Sequence, residues 1–229
     1  MMNEVNNDLL SLEYDCHFEE MYGLTWFPWI GKEYYNSEHR LLIVGESHYL
    51  IDDKEDPEKV EKNKEEAEQQ DFTRNVIQTF CIDNKKLQPT FDNLTRCLFD
   101  KQKMKKITLE MREDMWRHLA FYNFVQRPME NNLQRPTAKD IQTGWNVFAE
   151  LTKVLRPTEC VFIGFATADS YNPYKCRRSK EKVGRYAARL FSVPLDDQNT
   201  CRCIAIKHTS QYFSWEKWRK ILEKENFLF

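Results

Sequence analysis

RLLIVGESHY, residues 40–49, is the stretch of sequence that decides the fold. Its aliphatic and β-branched run ends at Gly45, which is typical of a strand buried on both faces of a parallel sheet. Polar side chains follow at once, from Glu46 to Tyr49. Because such sheets place their ligand sites at the carboxyl ends of the strands, this stretch predicts a core strand and one wall of a site.

The same pattern of an apolar run and a closing turn recurs further along the chain. Further strands are predicted at 118–126, 160–164 and 203–206. Helical apolar spacing favours helices at 72–82 and 91–99, a helix capped by Thr137 that runs to Leu155, and a last helix after Ser214. Strands that alternate with helices predict an α/β fold, a three-layer α/β/α arrangement around a short, mainly parallel central sheet.

The length and composition indicate one domain. With 229 residues, 41% of them hydrophobic and 31% charged, we expect a single domain over 1–229. A charged insertion around 52–71 and extra helices around 72–117 interrupt it. No apolar run is long enough to cross a bilayer, and the N-terminus is polar and acidic, so we expect a soluble cytoplasmic protein with no membrane partner.

The cysteine and charge patterns indicate which cofactors and partners to expect. The seven cysteines are expected to be free thiols. Cys201 and Cys203 would face the same side of a strand, but no C-x-x-C partner accompanies them, so we expect neither a metal site nor a cofactor. The net charge of −2 gives no global sign of nucleic acid. The basic stretch 175–189 could nevertheless face phosphates, and its simpler interpretation is a solvated surface helix.

Three polar clusters follow predicted strands: Gly45 to Tyr49, Asn123 with the turn at Arg127, and His208 to Gln211. In that order they resemble the uracil-DNA glycosylase superfamily, and most closely its family 4 type, which has G-E-A-P-G after its first strand and H-P-S near its end. The Arg127-Pro128 turn and the Pro136-Thr137 helix start are similar as well. The chain departs from the family at His48 and Thr209, where the family has prolines, and it lacks the iron–sulfur cysteines.

The resemblance implies a hydrolase that cleaves the N-glycosidic bond of a flipped uracil or other modified base in DNA. Asn123 would pair with the Watson–Crick edge of the base through its amide. Glu46 would activate water and stabilise the positive charge on the sugar, while His208 would donate a hydrogen bond to the departing base. Phe72 would provide the aromatic platform on which the base stacks.

The remaining predicted site residues surround these four. Gly45, Ser47, His48 and Tyr49 would form the first loop of the pocket. Ser47 and Ser210 would bind the phosphates that flank the flipped nucleotide, with Gln211 adding a contact. Basic contacts to the DNA backbone are expected from Lys207, Arg177 and Arg178. The predicted partners are therefore DNA and a nucleobase in the pocket, and a monomer is favoured.

Other interpretations of the same residues remain open. The altered turns at His48 and Thr209 favour a binding module that holds a nucleobase or nucleic acid without hydrolysis. A serine hydrolase with Ser47 as nucleophile is a third possibility, although the closing glycine of a G-x-S-x-G turn is absent. Asn123 can equally satisfy backbone groups, and Phe72 can belong to the core. The sequence has no Walker loop and no G-x-G-x-x-G, so it gives no support for a nucleotide-dependent enzyme.

Overall fold

The computed structural model describes residues 8–51, 53–83, 89–99, 107–131, 134–171, 176–210 and 212–228. They form an α/β structure around one mixed sheet of seven strands, in the order β1-β3-β2-β4-β7-β6-β5. The strands are β1 (Trp29–Ile30), β2 (Leu41–Gly45), β3 (Leu119–Asn123), β4 (Glu159–Ile163), β5 (Arg177–Val183), β6 (Tyr186–Pro194) and β7 (Thr200–Ile206).

The sheet is mixed rather than mainly parallel, so that part of the prediction is not confirmed. Its centre, β3-β2-β4-β7, is parallel, whereas β1 pairs antiparallel with β3, and β6 pairs antiparallel with both β7 and β5. The four central strands are those that the sequence predicted as buried apolar runs. All four end at the same edge of the sheet, called the carboxyl edge below.

The helices flank the sheet on both faces. They are α1 (Asp15–Glu19), α2 (Pro57–Ala67), α3 (Phe72–Val76), α4 (Pro89–Leu98), α5 (Leu109–His118), α6 (Ala138–Leu155), α7 (Ala166–Ser170) and α8 (Trp215–Lys224). A π-helix, Ile77–Ile82, continues α3. The helices predicted from apolar spacing are therefore confirmed, and Thr137 and Asp140 form the reciprocal cap of α6.

Alternate residues of the central strands supply two cores. Leu41 and Ile43 face the side covered by α4, α5 and α8, whereas Leu42 and Val44 face α6. Both sets are at most 2% exposed. Apolar cover on both faces explains why these strands read as continuous hydrophobic runs rather than as alternating ones.

The basic stretch is a β-hairpin and not a surface helix, so the simpler interpretation of that stretch is wrong for the described residues. β5 and β6 pair antiparallel across a turn in which Gly184 has a φ of 61°, a conformation that favours glycine. The apolar alternation lies mostly in β6, whereas β5 is an exposed edge strand rich in charge. Charges of this kind discourage pairing with another chain, and here they masked the strand pattern.

The charged insertion contains an ordered helix. Asp56 caps α2 by accepting a hydrogen bond from the backbone of Lys59. At the other end the indole of Trp26 donates to the carbonyl of Ala67 at 2.8 Å, and Phe72 packs in the same small apolar cluster. The insertion thus covers Trp26 beside the carboxyl edge. No helix in the described ranges is long and apolar enough to span a membrane.

Candidate functional site

The loops that follow β2 and β3 lie side by side at the carboxyl edge. Beyond the paired strand ends, Phe124 donates its backbone N–H to Gly45 at 2.9 Å and Val125 donates to Glu46 at 2.8 Å. Further out, the backbone of Met129 donates to His48 at 2.8 Å. These bonds continue the parallel pairing and bring the first two polar clusters together as the sequence predicted.

Gly45 and Asn123 are register partners, and the glycine makes room for the amide. A Cβ at Gly45 would collide with Oδ1 of Asn123, so no larger residue fits there without displacing that side chain. Asn123 is only 3% exposed, and its carbonyl accepts a hydrogen bond from Gln126. Among the described residues nothing hydrogen-bonds its side-chain amide, so the donor and acceptor of that amide are available at the edge.

Glu46 is half-buried and has one buried oxygen without a partner. Its Oε1 has no hydrogen bond within the described part of the chain, and a Cβ built on Gly164, after β4, would lie 3.9 Å from its Oε2. Desolvation raises the pKa of Glu46, and the positive charge of Arg135 partly opposes that rise. A carboxylate with a raised pKa and an unpaired oxygen at a strand end is a candidate functional group.

His208 lies at the same edge, after β7. The backbone N–H of Gly164 donates to Ile206 at 3.0 Å, which joins the end of β4 to the end of β7. Nδ1 of His208 accepts from the N–H of Ser210 at 3.3 Å, so the neutral ring carries its proton on Nε2. Although His208 is exposed, partial desolvation lowers its pKa and favours that neutral form.

The structure therefore brings Glu46 and Asn123 directly together on adjacent strands and places His208 two strands from Glu46. The end of β4 at Gly164 lies between the two loops. All three polar clusters are on one edge of the sheet, which is the arrangement that the sequence predicted from strand ends.

Ser47 acts as a tether in this structure. Its hydroxyl donates to the carbonyl of Arg127 at 2.7 Å, and Arg127 in turn donates two hydrogen bonds to Asp140, at 2.8 and 2.7 Å. The ring of His48 bonds Thr73 instead, with 2.9 Å between Nε2 and Oγ1. The two neighbouring side chains thus have separate partners, and the geometry gives no support for a serine nucleophile activated by His48.

His48 and Phe72 belong to an aromatic cluster beneath the site. The His48 ring lies 4.9 Å from the Trp26 ring and 4.8 Å from the Phe72 ring, both edge-on. Burial lowers the pKa of His48 to about 3, so it is neutral at physiological pH. Phe72 is 3% exposed and does not present an open face on which a base could stack.

Tyr49 stands at the rim, 37% exposed, between Glu46 and a neighbouring cleft. Desolvation raises the pKa of Tyr49, and the negative charge of Glu46 adds to that rise, which places the phenol close to the carboxylate. The cleft has a volume of about 460 Å³ and is open to solvent on the α2 side. Its lining includes His48, Tyr49, Lys59, Lys62, Phe72 and Phe80.

Only some of the residues predicted to contact the DNA backbone lie at the carboxyl edge. Lys207 lies at the edge, donating to the carbonyl of Tyr212 at 3.3 Å. Arg178 is exposed on β5, but Arg177 is held by Glu225 of the α8 end at 2.7 Å, away from the carboxyl edge. The hairpin turn carries Arg185 closer to that edge. Ser210 lies beside His208, and Gln211 is outside the described residues.

Two residues that the sequence did not single out support the site. Asn93 of α4 donates to the carbonyls of Thr209 and Ser210, at 2.9 and 3.3 Å, and so holds the His208 loop. Arg135 provides the positive charge felt by both Glu46 and Tyr49. Neither residue is part of a local sequence motif, because each acts on a segment that is distant from it in the sequence.

One group of side chains in the described ranges has metal-ligand spacing. The sulfurs of Cys160, Cys201 and Cys203 lie within 4.8 Å of one another on the α6 face of the sheet. The sequence predicted the shared face of the last two but not the arrival of Cys160. This cluster is buried in the core and is separate from the carboxyl edge.

Comparison with known proteins adds no family assignment. The chain matches no family model, and no curated protein matches its sequence. The arrangement of Glu46, Asn123 and His208 is therefore the main indication of function.

Proposed function

We propose that this protein hydrolyses the N-glycosidic bond of a flipped uracil or other modified base in DNA, on a three-layer α/β/α fold of the uracil-DNA glycosylase kind. One observation carries the proposal: on adjacent strand ends, Glu46 has a buried oxygen without a hydrogen-bond partner in the described structure, and the side-chain amide of Asn123 is not hydrogen-bonded there either. A buried polar group left unsatisfied costs roughly 1–3 kcal/mol, so a ligand that bonds Glu46 and also uses the amide is the natural explanation.

Asn123 is proposed to select the base. Its amide offers one acceptor and two donors, which match the N3–H and O4 of uracil but not the donor pattern of cytosine. The side chain is packed between the strand ends, and Gly45 approaches its Oδ1 closely. In the orientation that presents the amide oxygen to N3–H, a cytosine would bring its own N3 acceptor against that oxygen and leave both unpaired, which selects against it.

Glu46 is proposed to act on the sugar and the water. As the bond between C1′ and the base nitrogen breaks, its electron pair leaves with the base and positive charge develops on the sugar. The ionised carboxylate stabilises that charge and accepts a proton from the water whose oxygen attacks C1′. Desolvation, which raises its pKa, also strengthens this electrostatic effect.

His208 is proposed to stabilise the departing base. With Nδ1 occupied by the N–H of Ser210, Nε2–H of the neutral ring is free to donate to a base oxygen on which negative charge develops. The lowered pKa of His208 keeps the ring in this form at neutral pH. Asn93 positions the loop through its two carbonyl contacts.

DNA would lie across the carboxyl edge. Lys207 and Ser210 border the His208 loop, and the hairpin adds Arg178 and Arg185 on one side. These contacts would fix the position of the backbone without reading sequence. None of the seven cysteines forms a disulfide, which supports a reducing compartment such as the cytoplasm.

An excision assay on end-labelled oligonucleotides tests the proposal. Duplex and single-stranded DNA with uracil, and with other deaminated or oxidised bases, are incubated with the wild type and with Glu46→Gln, Asn123→Ala and His208→Ala. Exposed residues outside the site, in the variants Glu150→Gln and His118→Ala, serve as matched controls. We expect abasic product from at least one substrate, lost in the three site variants and kept in both controls.

A nucleobase-binding module without hydrolysis is the second candidate, and the burial of Phe72 favours it. A base that enters beside Asn123 finds no open aromatic face at Phe72, because Trp26 and His48 pack against that ring. Binding of the damaged oligonucleotides that requires Asn123, with no cleavage of any substrate, would establish this function and exclude the hydrolase.

A further inference from the structure

Three cysteines come together in the core beneath α6. Cys160 on β4 is the register partner of Cys203 on β7, and Cys201 faces the same side two residues earlier. The sulfurs of Cys160 and Cys201 are 3.2 Å apart, and all three lie within 4.8 Å of one another. Each residue is at most 1% exposed.

Two tyrosine hydroxyls point to the same place. Tyr34 interacts electrostatically with Cys160 and Cys201, and Tyr122 with Cys160 and Cys203. Both residues are fully buried, and neither hydroxyl has a hydrogen-bond partner within the described chain. Two orphaned hydroxyls beside three thiols are costly for a folded core unless something else satisfies them.

We propose that Cys160, Cys201 and Cys203 bind one Zn²⁺ ion, with an oxygen of Tyr34 or Tyr122 near the fourth position. Zinc prefers four ligands and takes thiolates at about 2.3 Å, so three sulfurs that already lie within 4.8 Å of one another need only small shifts to surround it. Binding releases the protons of the three thiols to solvent as the thiolates form. The remaining phenol donates a hydrogen bond to a coordinating sulfur.

The ion would have a structural role, because it would link two strands of the sheet. It joins β4, which lies between the Glu46 loop and the His208 loop, to β7, which carries the His208 loop. Cys160 lies three residues before Ile163, about 10 Å from the carboxyl edge, too far to take part in chemistry there. The zinc site is thus independent of the proposed function.

Two other buried cysteines are ordinary core thiols and serve as a comparison. Cys97 and Cys81 are buried in the opposite core, and neither belongs to a group with metal-ligand spacing among the described residues. A disulfide between Cys160 and Cys201 is the main competitor. It would leave the hydroxyls of Tyr34 and Tyr122 without partners in the described structure, so we favour the metal.

Metal analysis of the intact protein tests the proposal. Wild-type protein, expressed with zinc and purified under reducing conditions, should contain about one zinc ion per chain by inductively coupled plasma mass spectrometry. Cys160→Ser and Cys203→Ser should lose the ion, whereas Cys97→Ser, an equally buried thiol, should retain it. Cobalt-substituted wild type should show thiolate-to-metal charge-transfer absorption.

Wild-type measurements decide the matter even if the serine variants fail to fold. Protein refolded with zinc should melt at a higher temperature than protein refolded with a chelator. The proposal is overturned by fully reduced wild type that contains no metal after refolding with zinc and melts at the same temperature either way. A Cys160–Cys201 disulfide found by peptide mass in protein purified without reductant, together with that metal-free result, would identify the competitor.

Discussion

Asp140 and Glu46 are two carboxylates on either side of the turn at Arg127, and they differ in their hydrogen bonds and in their pKa. Asp140 accepts two hydrogen bonds from Arg127 and two from Thr137, at distances between 2.7 and 2.8 Å, and its pKa is lowered to about 2, chiefly by the bonds to Arg127. Glu46 has a buried oxygen with no partner in the described structure and a pKa raised by desolvation.

The difference separates groups that hold the fold from groups that await a ligand. The interactions of Asp140 are complete, and they fix the start of α6 to the turn. Desolvation makes the charged form of Glu46 unfavourable in the folded protein. Such a loss of stability is typical of a group that binds a ligand or takes part in a reaction.

The largest expected effect is on catalysis at Glu46. Glu46→Gln should lower the rate of base excision by about 10³-fold, because it removes the charge that stabilises the sugar cation and the acceptor for the proton of water. Single-turnover excision assays would measure it, with Glu150→Gln as control. An unchanged rate would remove Glu46 from the mechanism.

His208 should matter somewhat less. His208→Ala should reduce excision by about 10²-fold, the typical loss for one donor to a developing negative charge. Since the pKa of His208 is lowered, the wild-type activity should persist to a more acidic pH than an ordinary histidine would allow, as long as Glu46 stays ionised. A rate that rises as histidine becomes protonated would mean that the cationic ring is the active form.

Asp140 should affect stability rather than chemistry. Asp140→Asn should lower the free energy of unfolding by about 2 kcal/mol, through the loss of charge-assisted hydrogen bonds and of a helix cap. Urea denaturation would measure the loss. Asp169→Asn, which weakens the pair of Arg189 with a more exposed carboxylate, should cost much less. Equal losses at the two sites would show that Asp140 is an ordinary surface ion pair.

The smallest effect is a gain in stability at Glu46. A pKa raised in the folded state means that ionisation opposes folding, so stability is lost as pH rises through the folded pKa. Glu46→Gln should therefore melt at a slightly higher temperature than wild type at neutral pH, and this gain should vanish below the unfolded pKa. Thermal melts across pH would show it, and a lower melting temperature at neutral pH would contradict the contrast with Asp140.

The sequence predicted the elements that depend on short-range patterns. The runs at Leu41–Gly45 and Glu159–Ile163 are recognisable because both faces are buried, and α6 because its cap lies within four residues. The basic hairpin was missed because charge on an edge strand conceals alternation. The two-residue strand β1 is too short to carry a pattern.

The site was predictable to the extent that strand ends converge. Gly45, Glu46, Asn123 and His208 all lie at the edge that the topology dictates. Contacts between distant segments were not predictable: Asn93 reaches the His208 loop from α4, and Phe72 is buried by Trp26 from the N-terminal part of the chain. Spacing within one segment contains no information about such contacts.

A crystal structure with DNA that contains a carbon-linked analogue of deoxyuridine tests the central claim most directly, because that glycosidic bond cannot be hydrolysed. The account predicts an extruded base whose Watson–Crick edge bonds the amide of Asn123, with Glu46 below the sugar and Nε2 of His208 at a base oxygen. A base that remains stacked in the DNA, or that binds away from the ends of β2 and β3, would contradict it.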